Sequence, residues 1–255
     1  MGKGMKPSLG GPWTLLALSL AACSGSTPTP SRLPRLVSQP FYEPVLVDWA
    51  VAYRETLSSP LPFDLDTRTR AEGLDRVEQG EADLLVTSGE PPAGWFATPL
   101  GRMGLAVVVH PDNPVRDLSL DELRDLFTGL SDSWEDVGGR QLAVQPVLPL
   151  PGEPIGVTFA LQVLGDANPW PGALLAPTAA AMTQLVAEDH AAIGILPSAA
   201  LSETLRAVRI EGILPGQSTI ASGTYPLTLS LLATAPSEPV SPLRDFLVWI
   251  QSNPG

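Results

Sequence analysis

The sequence predicts an α/β fold with a largely parallel sheet, and three features carry that reading. Short apolar runs alternate with amphipathic stretches of helical period from Arg35 onward. Leu105-Ala106-Val107-Val108-Val109-His110 is apolar without alternation, as a strand buried on both faces is. Ser119-Leu120-Asp121-Glu122 opens a helix with a capping box, serine at the N-cap and glutamate three residues later.

The elements follow in order. Residues 35–38 read as a strand. Residues 41–57 read as a helix, with Val45, Leu46, Trp49, Ala52 and Tyr53 at helical spacing. Residues 63–67 are a strand, 71–79 a short helix closed by Gly80, and 82–87 a third strand. The run 105–110 ends in the turn cluster His110-Pro111-Asp112-Asn113-Pro114. The helix opened by Ser119 runs to Phe127 and stops before Gly129. A strand at 142–148 follows, then a helix over 154–164 with proline near its start. Residues 178–188 form a helix, 192–196 a strand, 198–205 a short helix, 225–233 a strand and 242–252 a closing amphipathic helix. No composition break divides the middle of the chain, so two lobes would be interleaved.

The N-terminus is a targeting segment. Lys3 and Lys6 precede an apolar run from Trp13 to Leu20, and Leu20-Ala21-Ala22-Cys23 is followed by polar residues and proline. The run is too short for a bilayer, which needs roughly 20 apolar residues. Cys23 is the only cysteine, so no internal disulfide is available. The layout resembles a bacterial lipoprotein signal. That resemblance implies cleavage before Cys23 and a diacylglycerol on its sulfur. Residues 1–22 are then the signal peptide and 23–34 a flexible tether. The expected location is extracytoplasmic, lipid-anchored to a bacterial membrane.

Composition bounds the partners. Of the 255 residues, 44% are hydrophobic, so a sizeable core is available. The net charge is −12, and without the two lysines of the signal it is −14. Such a chain repels nucleic acid and anionic headgroups, so an anion site would have to be local. Enzyme signals are weak. His110 and His190 are the only histidines, which disfavours a zinc site, and no Gly-x-Ser-x-Gly is present. Gly138-Gly139 lacks the Lys-Ser/Thr of a phosphate loop. The expectation is no enzyme, no cofactor and no bound metal.

One compound pattern is specific. Val109 to Pro114, then Leu118-Ser119-Leu120-Asp121-Glu122-Leu123-Arg124-Asp125-Leu126-Phe127-Thr128-Gly129, then Trp134-Glu135-Asp136-Val137-Gly138-Gly139, resembles the central block of phosphate-type solute-binding proteins of ABC importers. Glu72-Gly73-Leu74 through Leu84, Asp189 through Leu196, and Tyr225-Pro226-Leu227 resemble further blocks of that family, in order. The resemblance implies a periplasmic-binding-protein-like (type II) fold: two interleaved α/β lobes, a hinge and a central cleft. Lobe 1 would hold 35–104 plus 206–255, and lobe 2 would hold 105–205. It also implies a monomer that binds a small solute and delivers it to an ABC permease.

The family's ligand loops fall at Ser38, at Thr69 and Arg70, and at Ser88. The fourth loop departs from the pattern. Where the family places Ser-Gly-Thr, at the start of a helix whose Phe aligns as Phe159, this chain has Glu153-Pro154-Ile155. Proline removes an N–H donor. A carboxylate beside an oxyanion at intermediate dielectric costs on the order of 4 kcal/mol. Phosphate binding through this loop is therefore disfavoured. Glu153 either caps its own helix, the reading preferred on local grounds, or pairs with a cationic or amine-bearing ligand, or with Arg70 across the cleft. The expected function is a lipid-anchored solute-binding protein of an importer. The alternative is a non-transport lipoprotein with a degenerate cleft, acting in sensing, adhesion or assembly.

Overall fold

In chain order the strands and helices alternate as the periodicity predicts. The computed structural model describes residues 32–253, so the signal segment and Cys23 lie outside the described residues. The first part comprises β1 (Arg35–Ser38), α1 (Glu43–Glu55), β2 (Asp64–Thr67), α2 (Arg70–Glu78) and β3 (Leu84–Ser88). Then come β4 (Phe96–Val109), β5 (Asp117–Leu118), α3 (Leu120–Thr128), β6 (Gln145–Pro149) and α4 (Pro154–Phe159). A π turn at Ala160–Leu164 continues α4. The chain closes with β7 (Leu174–Ala176), α5 (Ala179–Glu188), β8 (Ala192–Pro197), β9 (Arg206–Ala207), β10 (Arg209–Ile210), α6 (Gln217–Ala221), β11 (Thr228–Ala235) and α7 (Leu243–Ser252).

The main sheet runs β2-β1-β3-β11-β4-β8-β6-β7, with β9 on β4. It is parallel at both ends, where helices cross over, and antiparallel through the centre. The central antiparallel pairings are a departure from a largely parallel sheet. They arise where β11 inserts between β3 and β4 and where β4 meets β8; β4 is a 14-residue strand of which the sequence announces only the second part. Its first part contains Pro99, Gly101, Arg102 and Gly104, all but the arginine poor strand formers. Pairing with β11 holds it extended from Phe96 to Gly104, with a register shift at Leu231/Leu232 opposite Pro99 and Gly101. From Leu105 to Val109 the strand pairs with β8 instead. The partner change therefore falls between Gly104 and Leu105. There the buried Tyr225 donates its hydroxyl to the Leu105 carbonyl at 2.7 Å and ties the returning chain to β4.

Packing follows the apolar stripes. Val45, Leu46, Ala50 and Tyr53 form the buried face of α1. The rings of Tyr53, Phe63 and Phe246 pack at centroid separations of 4.8–6.4 Å, the first two stacked and the other pairs tilted, joining α1 to α7. Across the partner change, Phe127 and Phe159 meet edge-on at 4.7 Å between α3 and α4. Trp134 is buried and donates its indole N–H to the Ala191 carbonyl at 2.9 Å, the structural role its place in the sequence pattern predicts. The expected helix at 198–205 is reduced to one 3-10 turn, Ser198–Ala200. Leu201 is extended, and the hydroxyls of Ser202 and Thr204 bond each other at 2.7 Å, favouring a turn.

Candidate functional site

Two parallel strands, β1 and β3, end side by side, with Ser38 opposite Val86. The carboxyl ends of parallel strands are where α/β sheets receive ligands. Five buried polar residues converge there: Ser38 and Gln39 from the end of β1, Tyr42 from the start of α1, and Thr87 and Ser88 from β3. Tyr42 and Ser88 share a hydrogen bond of 2.6 Å between their hydroxyls. Gln39 donates its amide to the Thr87 hydroxyl at 2.7 Å, and the Thr87 hydroxyl donates to the Ser88 carbonyl at 3.1 Å. The Ser38 hydroxyl points at the Gln39 carbonyl from 3.4 Å, a weak bond at best.

A sixth residue comes from the other side of the partner change. After β6, the turn Leu150-Pro151-Gly152 brings Glu153 to the head of α4, which packs against β3. Gly152 makes this possible at φ +85°, a conformation that a side chain disfavours. Glu153 is the N-cap residue of α4, yet its side chain makes no capping bond. It is 4% exposed, and its Oε2 has no hydrogen-bond partner. Burial pushes the carboxyl above its usual 4.5. The Tyr42 hydroxyl is raised well above its ordinary 10, chiefly by burial. The Ser88 bond opposes that shift, and the Glu153 charge adds to it.

The preferred reading of Glu153 as a helix cap is therefore corrected. Pro154 supplies helix geometry and has no N–H to satisfy, so α4 has less need of a side-chain cap. The carboxylate is turned inward. It makes no ion pair with Arg70, whose guanidinium donates to the Glu90 carbonyl at 2.6 Å. Thr69 is the cap of α2: its hydroxyl and Glu72 form a reciprocal capping box. Arg68 pairs with Asp66 at 2.9 Å. Ser38 also borders an open groove between α1 and β2, lined by Glu43, Asp66 and Arg68. Of the residues singled out in the sequence, Ser38, Ser88 and Glu153 come together, while Thr69 and Arg70 are engaged elsewhere. Gln39, Tyr42 and Thr87 join the set without a signal of their own beyond adjacency to Ser38 and Ser88.

Gln39 and Thr87 direct their donors at protein acceptors, while Tyr42 and Ser88 share one hydrogen bond between two hydroxyls, so one of those two hydrogens is left without a protein acceptor. The buried side-chain atoms left without partners here are Gln39 Oε1 and Glu153 Oε2, both acceptors. These groups are hydrogen-bonding groups, and none of them is a nucleophile hydrogen-bonded to a base.

A profile described as the PBP superfamily domain matches residues 27–254. The chain belongs to the PBP superfamily. Within the superfamily it is 28% identical over 151 residues to the phosphate-binding protein PstS of Bacillus subtilis (strain 168), covering 59% of this chain and 50% of that protein. The chain thus spans between about a third and half of the length of the curated relatives it matches. Those relatives are binding proteins, not enzymes. Among solved structures, a putative phosphate ABC transporter substrate-binding protein with bound phosphate from Clostridium perfringens superposes with a TM-score of 0.76 at 17% identity, covering 85% of this chain and 91% of that one. An ABC-type phosphate transport receptor from Vibrio cholerae gives 0.64 at 20%, covering 86% and 93%. At these identities the superpositions establish the shared α/β fold. The mixed α/β, periplasmic-binding-protein-like fold class expected from the sequence is the one observed.

Proposed function

We propose that this chain is the extracytoplasmic solute-binding component of an ABC-type importer, tethered by a lipid on Cys23, and that its solute is not inorganic phosphate. The observation that carries the ligand reading is the buried, unpartnered Glu153 carboxylate at the strand ends. A phosphate beside Glu153 meets a negative charge, and the Gln39 and Thr87 donors already serve protein acceptors. A solute presenting N–H groups or positive charge supplies what the two orphan acceptors lack. The ligand set is Ser38, Gln39, Tyr42, Thr87, Ser88 and Glu153. Residues 35–104 with the chain that returns past Tyr225 act as one lobe. The other holds 105–205 and also β9 and β10, which pair with β4 and β5, so the second crossing falls after β10 and not at 206. The lipid anchor rests on Leu20-Ala21-Ala22-Cys23, and Cys23→Ala should release the chain from the membrane fraction.

A second reading has its own support. Glu153 is only 4% exposed, which supports a site closed to solutes around its carboxylate. A cleft that stays shut serves sensing, adhesion or assembly in place of transport. A thermal-shift panel of amino acids and polyamines, with phosphate beside them, separates the two. A true ligand at 100 times its dissociation constant adds about 2.7 kcal/mol. That is a shift of roughly 5–10 °C for a domain of this size. The importer reading predicts such a shift with an amine-bearing solute and its loss in Glu153→Gln. No shift with any amine-bearing solute favours the shut cleft.

A further inference from the structure

The two histidines of the chain, remote in sequence, meet in the fold. His110 follows the last residue of β4, and His190 sits in the turn between α5 and β8. Antiparallel pairing of Val109 with Ile193 brings those ends together. The rings lie 3.8 Å apart between centroids at 44°. Asp112 reaches over the pair: its Oδ2 is 4.0 Å from Nδ1 of each histidine. One ligating atom from each of the three residues lies within 4.8 Å of the others.

We propose that His110, Asp112 and His190 form a binding site for a divalent transition metal. Two imidazoles and one carboxylate are the donor set of zinc, nickel and copper sites, and are poorly suited to calcium or magnesium. Ligands about 2.1 Å from a tetrahedral ion stand roughly 3.4 Å apart, so the carboxylate has to close by about 0.6 Å on each imidazole and the imidazoles by up to about 1.4 Å on each other. The side chains of Asp112 and His190, 66% and 54% exposed, have the freedom to make those moves. Metal at Nδ1 of His110 replaces the 3.1 Å contact which that atom accepts from the Asp112 amide.

The scaffold under the site is fixed on both sides. Arg206 donates to the carbonyls of Pro111 and Asn113, and to that of Val115 at 2.7 Å, clamping the turn that carries Asp112. Asn113, buried, accepts the Val115 amide at 3.0 Å. The His190 turn is pinned through Ala191, whose carbonyl accepts from Trp134 and from the Gln145 amide, both at 2.9 Å. Arg140 borders the small recess beside Asp112 and His190, so the coordination position left open suits water or an anion. The site lies at the opposite end of β4's second part from the partner change. It is therefore separate from the Glu153 set, and its test does not depend on any reading of that set.

Zinc titration followed by calorimetry, and cobalt titration followed by visible absorption, test the proposal in the Cys23→Ser chain, which removes the lone thiol. The expected result is one metal ion per chain at micromolar concentration, with the cobalt band of a nitrogen-containing site. His190→Ala, whose side chain is 54% exposed and so does not threaten folding, should weaken binding by about tenfold or more, the equivalent of roughly 1.4 kcal/mol or more. Asp112→Asn should weaken it less. Calcium in excess should not displace zinc. No stoichiometric zinc binding, or binding that His190→Ala leaves unchanged, overturns the site.

Discussion

The starts of α3 and α4 answer the same physical need in opposite ways. At α3, Ser119 accepts the Glu122 amide at 3.2 Å while Glu122 accepts the Ser119 amide at 2.8 Å. Both side chains are used locally, and the bonds lie at the surface. At α4 the residue in the same position is Glu153, whose carboxylate makes no cap bond and is buried. An ordinary helix start stabilises the fold by about 1 kcal/mol. A buried acceptor without a partner costs about 1–3 kcal/mol. The costly arrangement stands at the strand ends and the favourable one elsewhere, and this contrast is what supports the proposal of recognition at Glu153.

The comparison breaks most readily at Glu153. The folded carboxyl titrates above the unfolded one, so the native state holds its proton longer as pH rises. Stability therefore falls as pH climbs from the unfolded value through the raised folded value, and is flat above it. Glu153→Gln removes that titration. Denaturant unfolding should find the variant more stable than wild type by about 1–3 kcal/mol above the folded value, with the gap closing below the ordinary 4.5. A gap that is constant with pH, or a destabilised variant at neutral pH, would show that the carboxylate has a partner. Ser119→Ala sharpens the contrast from the other side. It should lose about 1 kcal/mol and show no change across the window in which Glu153 titrates.

The same contrast explains what the sequence made legible. α3 was readable in full because its signals are local: Ser119, Glu122 and Gly129 act within their own turns. Thr69 carried the same pattern with Glu72, and its place in a ligand loop of the resembled family obscured it. Glu153 was readable as a departure from a pattern. Its inward turn was not, because that depends on α4 packing against β3 from a remote part of the chain. The first part of β4 was silent for the same reason: its extension is imposed by β11 across the sheet. Gln39, Tyr42 and Thr87 have no motif, since only the parallel register of β1 and β3 assembles them. The meeting of His110 with His190 likewise follows from the β4–β8 register alone.

Calorimetric titration with inorganic phosphate tests the central claim most directly, on the wild-type chain and on a chain carrying Glu153→Ser with Pro154→Gly. The double change gives α4 a hydroxyl cap, restores an N–H donor and removes the buried charge. The account predicts no saturable phosphate binding at micromolar concentration in the wild type, and a measurable gain in affinity in the double variant. Micromolar or tighter phosphate binding by the wild type, or tighter binding by the wild type than by the double variant, would contradict it.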